Sequence, residues 1–349
     1  MSTQDVIAAF AEALADPCVV INRRGLVQYR NAMAGVDFPG VRVGDPLAFS
    51  LRMPVLVNAV DAAISANAAK SVELHQIGAT ETWHKVTISP LHLDEAVPAE
   101  SFVIVLQNLT EQKRVESLRS DFIANASHEL RTPLTSLVGF IDTLLGPAAR
   151  DEAARERFLS IMRGQAQRMS KLIDDLLSLS RIEMRQHLLP AGSVDLAKLL
   201  AEVMEGLQPL ARQGEVALSL AVPDGASFVV TGAHDELYEV FENLIENAIS
   251  YGGDGGKVEI AIAGVRNQPG FDIAVTVTDH GVGIPPEHVP RLTERFYRVD
   301  AESSRKKKGT GLGLAIVKHI LQRHRGKLVI RSKQGEGTVA EVLLPQRKA

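Results

Sequence analysis

One histidine in this chain has neighbours that suit it to nucleophilic chemistry. His128 is followed at once by Glu129, and Thr132 lies one helical turn on, on the same side as His128. An exposed imidazole beside a carboxylate can attack with one ring nitrogen while the acid takes or holds the proton of the other. A lone surface histidine is usually only that; the neighbours carry the argument. Two glycine-rich segments stand further along. Gly281–Val282–Gly283 follows the apolar run Ile273–Val277 and its acidic end Asp279, and Gly309–Thr310–Gly311–Leu312–Gly313 opens a helix-like segment. Glycines let backbone N–H groups approach an anion, and a helix N-terminus adds a favourable dipole. A pair of surface turns is the plainer alternative. The dinucleotide fingerprint needs a strand before its glycines, but Arg305–Lys308 precedes Gly309. A Walker loop needs G-x-x-x-x-G-K-S/T, and Gly256–Lys257 is followed by Val258. Asn243, Asn247 and Tyr251 recur every four residues on one helix face. Asparagine is a poor helix former, and its carboxamide oxygen is a hard neutral ligand suited to Mg²⁺ beside phosphates. A solvated polar face accounts for two asparagines equally well.

The elements that must position these residues fall into three regions. Residues 1–108 read as short strands and turns: Cys18–Asn22, a turn at Arg23–Gly25, the return Leu26–Tyr29, a helix over Pro54–Ala69, then strands Ser71–Ile77, Thr82–Ser89 and Ser101–Gln107. A polar, helix-favouring stretch over 109–121 leads into apolar residues spaced three and four apart: Ile123, Ala126, Leu130, Leu134, Leu137, Ile141 and Leu144. Pro133 lies inside this pattern, where it removes a backbone bond and is expected to kink the helix. Gly146–Pro147 stops it, and a second run carries Phe158, Met162, Gln165, Met169, Leu172, Leu176 and Leu179. Two such seams over 122–189 predict an antiparallel hairpin. One hairpin buries both seams poorly, so pairing with a second copy into a four-helix bundle is expected. Packing onto a neighbouring domain is the alternative. Past a linker at Pro190–Gly192, residues 193–349 interleave helices (Val194–Gln213, Asp235–Ser250, Leu312–His324) with strands (Val216–Val222, Phe228–Thr231, Val258–Val265, Phe271–Asp279, Leu328–Ser332, Val339–Leu344), an α/β layer structure.

Composition sets the outer bounds. The 349 residues exceed one ordinary domain, and 45% hydrophobic with 23% charged residues excludes wholesale disorder. A net charge of −4 argues against a nucleic-acid coat, leaving only the local patch Arg305–Lys308. The single cysteine, Cys18, excludes an internal disulfide framework and a cysteine-based zinc site. No run of roughly 18 apolar residues occurs, so the chain as given is expected to be soluble and cytoplasmic.

Taken together, the segments resemble the sensor histidine kinases of two-component signalling. SHELRTPLTSLVGF, within Phe122–Leu145, is similar to the H-box, ENLIENAISYG (Glu242–Gly252) to the N-box, and DHGVGIPPE (Asp279–Glu287) to the first glycine box. ERFYRVD (Glu294–Asp300) resembles the F-box, KGTGLGLAIVKHI (Lys308–Ile320) the second glycine box, and GEGT (Gly335–Thr338) the last. Six motifs in the family's order cover about two thirds of the chain. VVINRRGLVQYRN and LTEQK (Leu109–Lys113) more weakly resemble the marks of a PAS sensor domain, whose signal (a small ligand or an upstream protein) is not legible. The hairpin segment is similar to phosphate-regulon sensors, which usually carry membrane helices upstream; the chain is then the cytoplasmic part of such a sensor or a cytosolic relative.

The resemblance implies ATP and Mg²⁺ as cofactors, a homodimer, a response-regulator partner and an α/β sandwich for the ATP-binding domain. It makes His128 the phosphate acceptor, Glu129 the adjacent base, and Thr132 the residue orienting water in a phosphatase reaction. Asn247 and Asn243 would hold Mg²⁺, Tyr251 would line the pocket, and Asp279 would accept the adenine amino hydrogen. Gly281, Gly283, Gly309, Gly311, Leu312 and Gly313 would shape the pocket and its lid; Thr338 would line the base end, and Arg298 would stabilise γ-phosphate charge. Ser250 stands where many relatives have lysine, with Arg298 or Lys306–Lys308 as substitutes; His280 and Thr293 replace a common Asn and Phe. Two other classes compete. An ATPase using the fold for mechanical closure would not need SHELRTPL, and a non-catalytic scaffold should have lost Asn247, Asp279 or the glycines.

Overall fold

The computed structural model describes residues 3–76, 81–91, 99–185, 188–223, 225–252, 255–265, 268–299 and 309–346. Ile77, Asp300 and the basic run Arg305–Lys308, named above, lie outside the described residues. Two compact units result, Met1–Ile123 and Ala124–Ala349.

In the first unit, helix α1 (Thr3–Glu12) is followed by strands β1 (Cys18–Asn22) and β2 (Val27–Arg30) and short helices α2 (Ala32–Asp37) and α3 (Leu47–Ser50). Helix α4 (Pro54–Ala66) and strands β3 (Lys70–Gln76), β4 (Thr82–Leu91) and β5 (Ser101–Asn108) complete it. The strands form one antiparallel sheet in the order β2-β1-β5-β4-β3. Alternation puts Phe102, Ile104 and Leu106 of β5 on the buried face, where they pack with Val86 and Ile88 of β4 and Leu56 of α4. Helix α4 ends three residues earlier than its composition suggests, because Asn67 adopts φ 46°, the left-handed conformation that closes a helix. Asn31 is buried and satisfied: Oδ1 accepts from Cys18 N and Ala34 N, both at 2.9 Å, and Nδ2 donates to Ala11 O and Asp16 O. Burial pushes the Cys18 thiol up to about 11, which makes it a packing residue rather than a nucleophile.

Helix α5 (Thr110–Leu145) starts on this sheet: Thr110 Oγ1 accepts from Trp83 N at 3.0 Å, and Lys113 pairs with Glu73 at 3.2 Å. The helical assignment continues through Pro133, so the proline does not break it. Turn residues Gly146–Arg150 then lead to Asp151, whose Oδ1 accepts from Ala154 N and caps α6 (Glu152–Met184). Phe140 and Phe158 stack with ring centroids 5.3 Å apart across the hairpin. Of the seam positions, Ile123, Leu134 and Ile141 of α5 remain exposed, whereas those of α6 are half-buried or buried. Outside the seams, Val138 and Leu145 of α5 and Leu159, Ile173, Leu177 and Met184 of α6 are also exposed.

The rest of the second unit is a layered α/β structure. It runs β6 (Ser193–Asp195), α7 (Leu196–Gln213), β7 (Ala217–Ala221), β8 (Val229–Thr231), α8 (His234–Gly252), β9 (Lys257–Gly264), β10 (Ile273–Asp279), α9 (Gly313–Arg323), β11 (Lys327–Lys333) and β12 (Gly337–Leu344). The main sheet has the order β11-β12-β10-β9-β7, antiparallel except for β7 beside β9. Leu237, Phe241, Leu244 and Ala248 of α8 are all buried, as their spacing predicts. Val194 differs from its expectation as a helical residue. Asp195 Oδ1 accepts from Ala197 N and Lys198 N, so the helix starts two residues later, at Leu196, and Ser193–Asp195 pairs with β8 instead.

Candidate functional site

A cavity of about 550 Å³ opens between α8, the end of β10 and the loop before α9. Helix α8 supplies Asn243, Asn247, Ser250 and Tyr251; β10 supplies Asp279; β12 supplies Thr338; Arg298 comes from the segment before the loop.

Asp279 ends β10 in register with Val258 of β9 and Thr338 of β12. The residue is 9% exposed, and Oδ1 accepts from Gly281 N at 3.0 Å and Thr338 N at 3.2 Å. Burial raises its pKa above the ordinary aspartate value, against the lowering effect of those two amides. Neither amide engages Oδ2, and the Thr338 side chain is a further hydrogen-bond partner of the carboxylate. Asn243 also has a defined orientation: Nδ2 donates to Glu239 O at 2.8 Å, one turn back, which turns Oδ1 the other way. That oxygen faces the start of α9, where a Cβ on Gly313 would come within 2.3 Å of it.

The glycines act less as anion cradles than as points where walls touch. A Cβ on Gly283 (φ +64°) would meet Lys333 O at 2.0 Å, and one on Gly309 would meet the Tyr251 hydroxyl oxygen at 2.8 Å. Gly311 packs on the Phe296 backbone, and Gly281 on Gly252 and Tyr251 O. Gly283, Gly309, Gly311 and Gly313 line the cavity, whereas Gly281 lies outside its lining. Leu312, expected to bind nucleotide, is fully buried and does not line it either; its side chain belongs to the core beneath the loop. Its N–H donates to Thr310 Oγ1 at 3.3 Å, and no side chain caps α9 at Leu312. His280 is exposed and bonded to Glu259 at 2.8 Å, away from the lining residues.

His128, Glu129 and Thr132 form a separate group on α5, none of them in the cavity wall. His128 is exposed. Glu129 pairs with Arg168 of α6, Oε2 to Nη2 at 3.1 Å, and the arginine side chain is only 18% exposed. Thr132 donates its hydroxyl to His128 O at 3.2 Å.

Residues 118–185, which contain the histidine group, match the family described as the His Kinase A (phospho-acceptor) domain. Residues 232–348, which contain every cavity residue from Asn243 to Thr338, match the histidine kinase-, DNA gyrase B- and HSP90-like ATPase family. The phosphate regulon sensor protein PhoR of Pseudomonas aeruginosa is 40% identical over 255 residues, 71% of this chain and 56% of PhoR. The chain belongs to the sensor histidine kinases. The sensor protein kinase WalK of Staphylococcus aureus is 35% identical over 245 residues, 70% of this chain and 58% of WalK. This sensor kinase thus spans less than two thirds of either relative. Among solved structures, the Acinetobacter baumannii histidine kinase AdeS superposes with a TM-score of 0.50 at 26% identity, over 63% of this chain and 98% of AdeS. Histidine kinase ThkA, solved in complex with response regulator protein TrrA, shares the fold over 99% of both chains, with a TM-score of 0.55 at 18% identity.

Sequence reasoning missed several residues of the site in this sensor kinase. Gly252 and Gly337 both approach Asp279, at 2.3 Å and 2.1 Å for an added Cβ. Ser332 bonds Thr338 Oγ1 and Ile284 N, tying the floor to the first glycine loop. Lys171 and Asp175 come from α6: Lys171 lines the cavity, and Asp175 accepts the Thr310 hydroxyl at 2.6 Å. Gly252 ends a quoted motif and carried a hint; the α6 residues carried none, since their role depends on which domain α6 meets.

Proposed function

We propose that the chain autophosphorylates His128 from ATP and passes the phosphoryl group to an aspartate of a response regulator. The observation that carries this is an exposed imidazole beside a carboxylate, together with a separate cavity that pairs a buried acceptor with helix carboxamides. In this reading Asp279 Oδ2 takes the adenine amino hydrogen, Tyr251 and Thr338 flank the base, and the uncapped start of α9 faces the phosphates. Asn243 Oδ1 and Asn247 are neutral oxygen donors of the kind Mg²⁺ uses beside phosphates. A bound Mg²⁺ would neutralise phosphate charge, which Arg298 shares. One ring nitrogen of His128 attacks the γ-phosphorus; a P–N bond forms, the bond to the bridging oxygen breaks, and ADP leaves. Glu129, held by Arg168, takes or holds the proton on the other nitrogen. Thr132 would orient water for hydrolysis of the phosphorylated partner once its hydroxyl leaves His128 O.

Residues 1–108 serve as a PAS-like sensor, supported by the strand order and by Asn31 capping α2. The exposed stripes of the hairpin support a homodimer through 122–189. The phosphate-regulon reading, with the chain on the cytoplasmic side of such a sensor, is supported by the PhoR identity. Among the described residues no helix is long and apolar enough to cross a membrane. Catalysis requires the ATP-binding domain, 193–349, to swing over α5. Arg323 Nε donates to Leu188 O at 2.8 Å and to Arg185 O at 3.2 Å, and Gly232 N to Gly192 O at 2.9 Å, bonds that hold the linker against that domain. Incubation with γ-labelled ATP should give an acid-labile, base-stable label that is absent from His128→Gln. A label that survives this change would remove His128 as acceptor.

A further inference from the structure

Two cations line the nucleotide cavity among the described residues, Arg298 and Lys171. Position 250, where a lysine would face phosphates in the resemblance noted above, is a serine and brings no charge. Lys171 belongs to α6, the second helix of the phosphoacceptor hairpin, and it reaches the cavity because α6 runs alongside α8 and packs on α9. Its Nζ lies 2.7 Å and 2.6 Å from the two carboxylate oxygens of Glu246, the residue just before Asn247. One turn further along α6, Asp175 accepts the hydroxyl of Thr310 in the glycine loop. Helix α6 therefore touches both sides of the cavity mouth, one through a cation and the other through a carboxylate.

We propose that Lys171 is a second phosphate-binding cation, supplied to the nucleotide by the hairpin rather than by the ATP-binding domain. An ammonium has three N–H donors; Glu246 engages two directions and leaves a third for a phosphate oxygen. Glu246 is then the lysine's resting counter-ion: it leaves the phosphate site open and competes with a phosphate for the same ammonium. The consequence is that triphosphate affinity depends on hairpin packing, so that nucleotide binding and domain docking are coupled, each strengthening the other. This rests on the reading of the cavity as an ATP site.

The test uses the full chain and two probes followed by ligand-observed NMR: the Mg²⁺-loaded β,γ-imido analogue of ATP, and adenosine. Lys171→Met should weaken the imido analogue by about tenfold, the scale of one charge-assisted hydrogen bond, while adenosine changes by less than about twofold. Lys171→Arg should restore most of the loss, and Glu246→Gln should bind the analogue as tightly as the unaltered chain or more so. Unchanged binding of the analogue by Lys171→Met overturns the proposal. So does an equal loss of both probes, or a loss in Glu246→Gln matching that of Lys171→Met, since either makes the pair a structural tie. Failure of the unaltered chain to bind either probe would instead refute the ATP-site reading itself.

Discussion

At the scale of single residues, Asp279 shows how one side chain serves fold and chemistry with opposite demands. Burial raises its pKa above the ordinary value, so the ionised form is disfavoured in the folded chain. The sign for stability follows: its contribution is fully present below the ordinary aspartate pKa and is lost as pH rises through the raised value. Asp279→Asn removes that loss, and its amide oxygen can still accept from Gly281 N and Thr338 N. Its Tm at neutral pH should therefore equal or exceed that of the unaltered chain, while ATP-dependent labelling of His128 falls by about tenfold to a hundredfold at limiting ATP. Melting curves beside labelling rates check both halves. Labelling at the original rate would mean that Asp279 is a structural tie alone.

At the scale of elements, the hairpin does two jobs with its two helices, the first through α6. Leu172, Leu179 and Ile182 are buried, and Ser178 donates to the Glu239 carboxylate at 2.7 Å and 2.9 Å. Asp175, Glu239 and Glu242 all have raised pKa values, burial being the first cause in each, with Lys171 and Glu246 beside them. Setting α6 alongside α8 thus takes up protons. The contact is tightest below the ordinary carboxyl pKa values and loosens as pH rises through the raised ones. Hydrogen exchange over residues 171–183, corrected for intrinsic rate, should show greater protection at pH 5 than at pH 7; the reverse order would sink the assignment of these carboxyls to the contact. Association concerns the exposed side of α5. Leu134, Val138, Ile141 and Leu145 sit at spacings of four, three and four, a stripe that one hairpin leaves in water. Replacing Leu134 and Ile141 with glutamate removes about 3–6 kcal/mol of burial, enough to weaken a dimer by roughly two to four orders of magnitude. Sedimentation should then report a monomer, and an unchanged mass would place the dimer contact elsewhere.

At the scale of the whole molecule, what could be read in the sequence was what depends on neighbours along the chain. The strand-sized apolar run Phe102–Leu106 marked a strand, and the spacing of Leu237, Phe241, Leu244 and Ala248 marked the inner face of α8; Phe102, Ile104, Leu106 and those four α8 residues are buried. The N-box, F-box and glycine-box motifs supply residues to the cavity lining, and each could be read because a motif is local. Three things escaped for one reason. Val194 lies in a strand because β8 is there to pair with it, Leu312 is buried because the core runs beneath the loop, and the glycines are small because another backbone passes within touching distance. Each depends on a partner remote in sequence, and periodicity carries no information about remote partners. The same holds for Lys171, an ordinary polar-face lysine until α8 is set beside it. The chain by itself determined which residues have the chemistry, since side-chain type and helical spacing are local properties. Only the tertiary structure decided which of them share a cavity, because that depends on contacts between segments tens of residues apart.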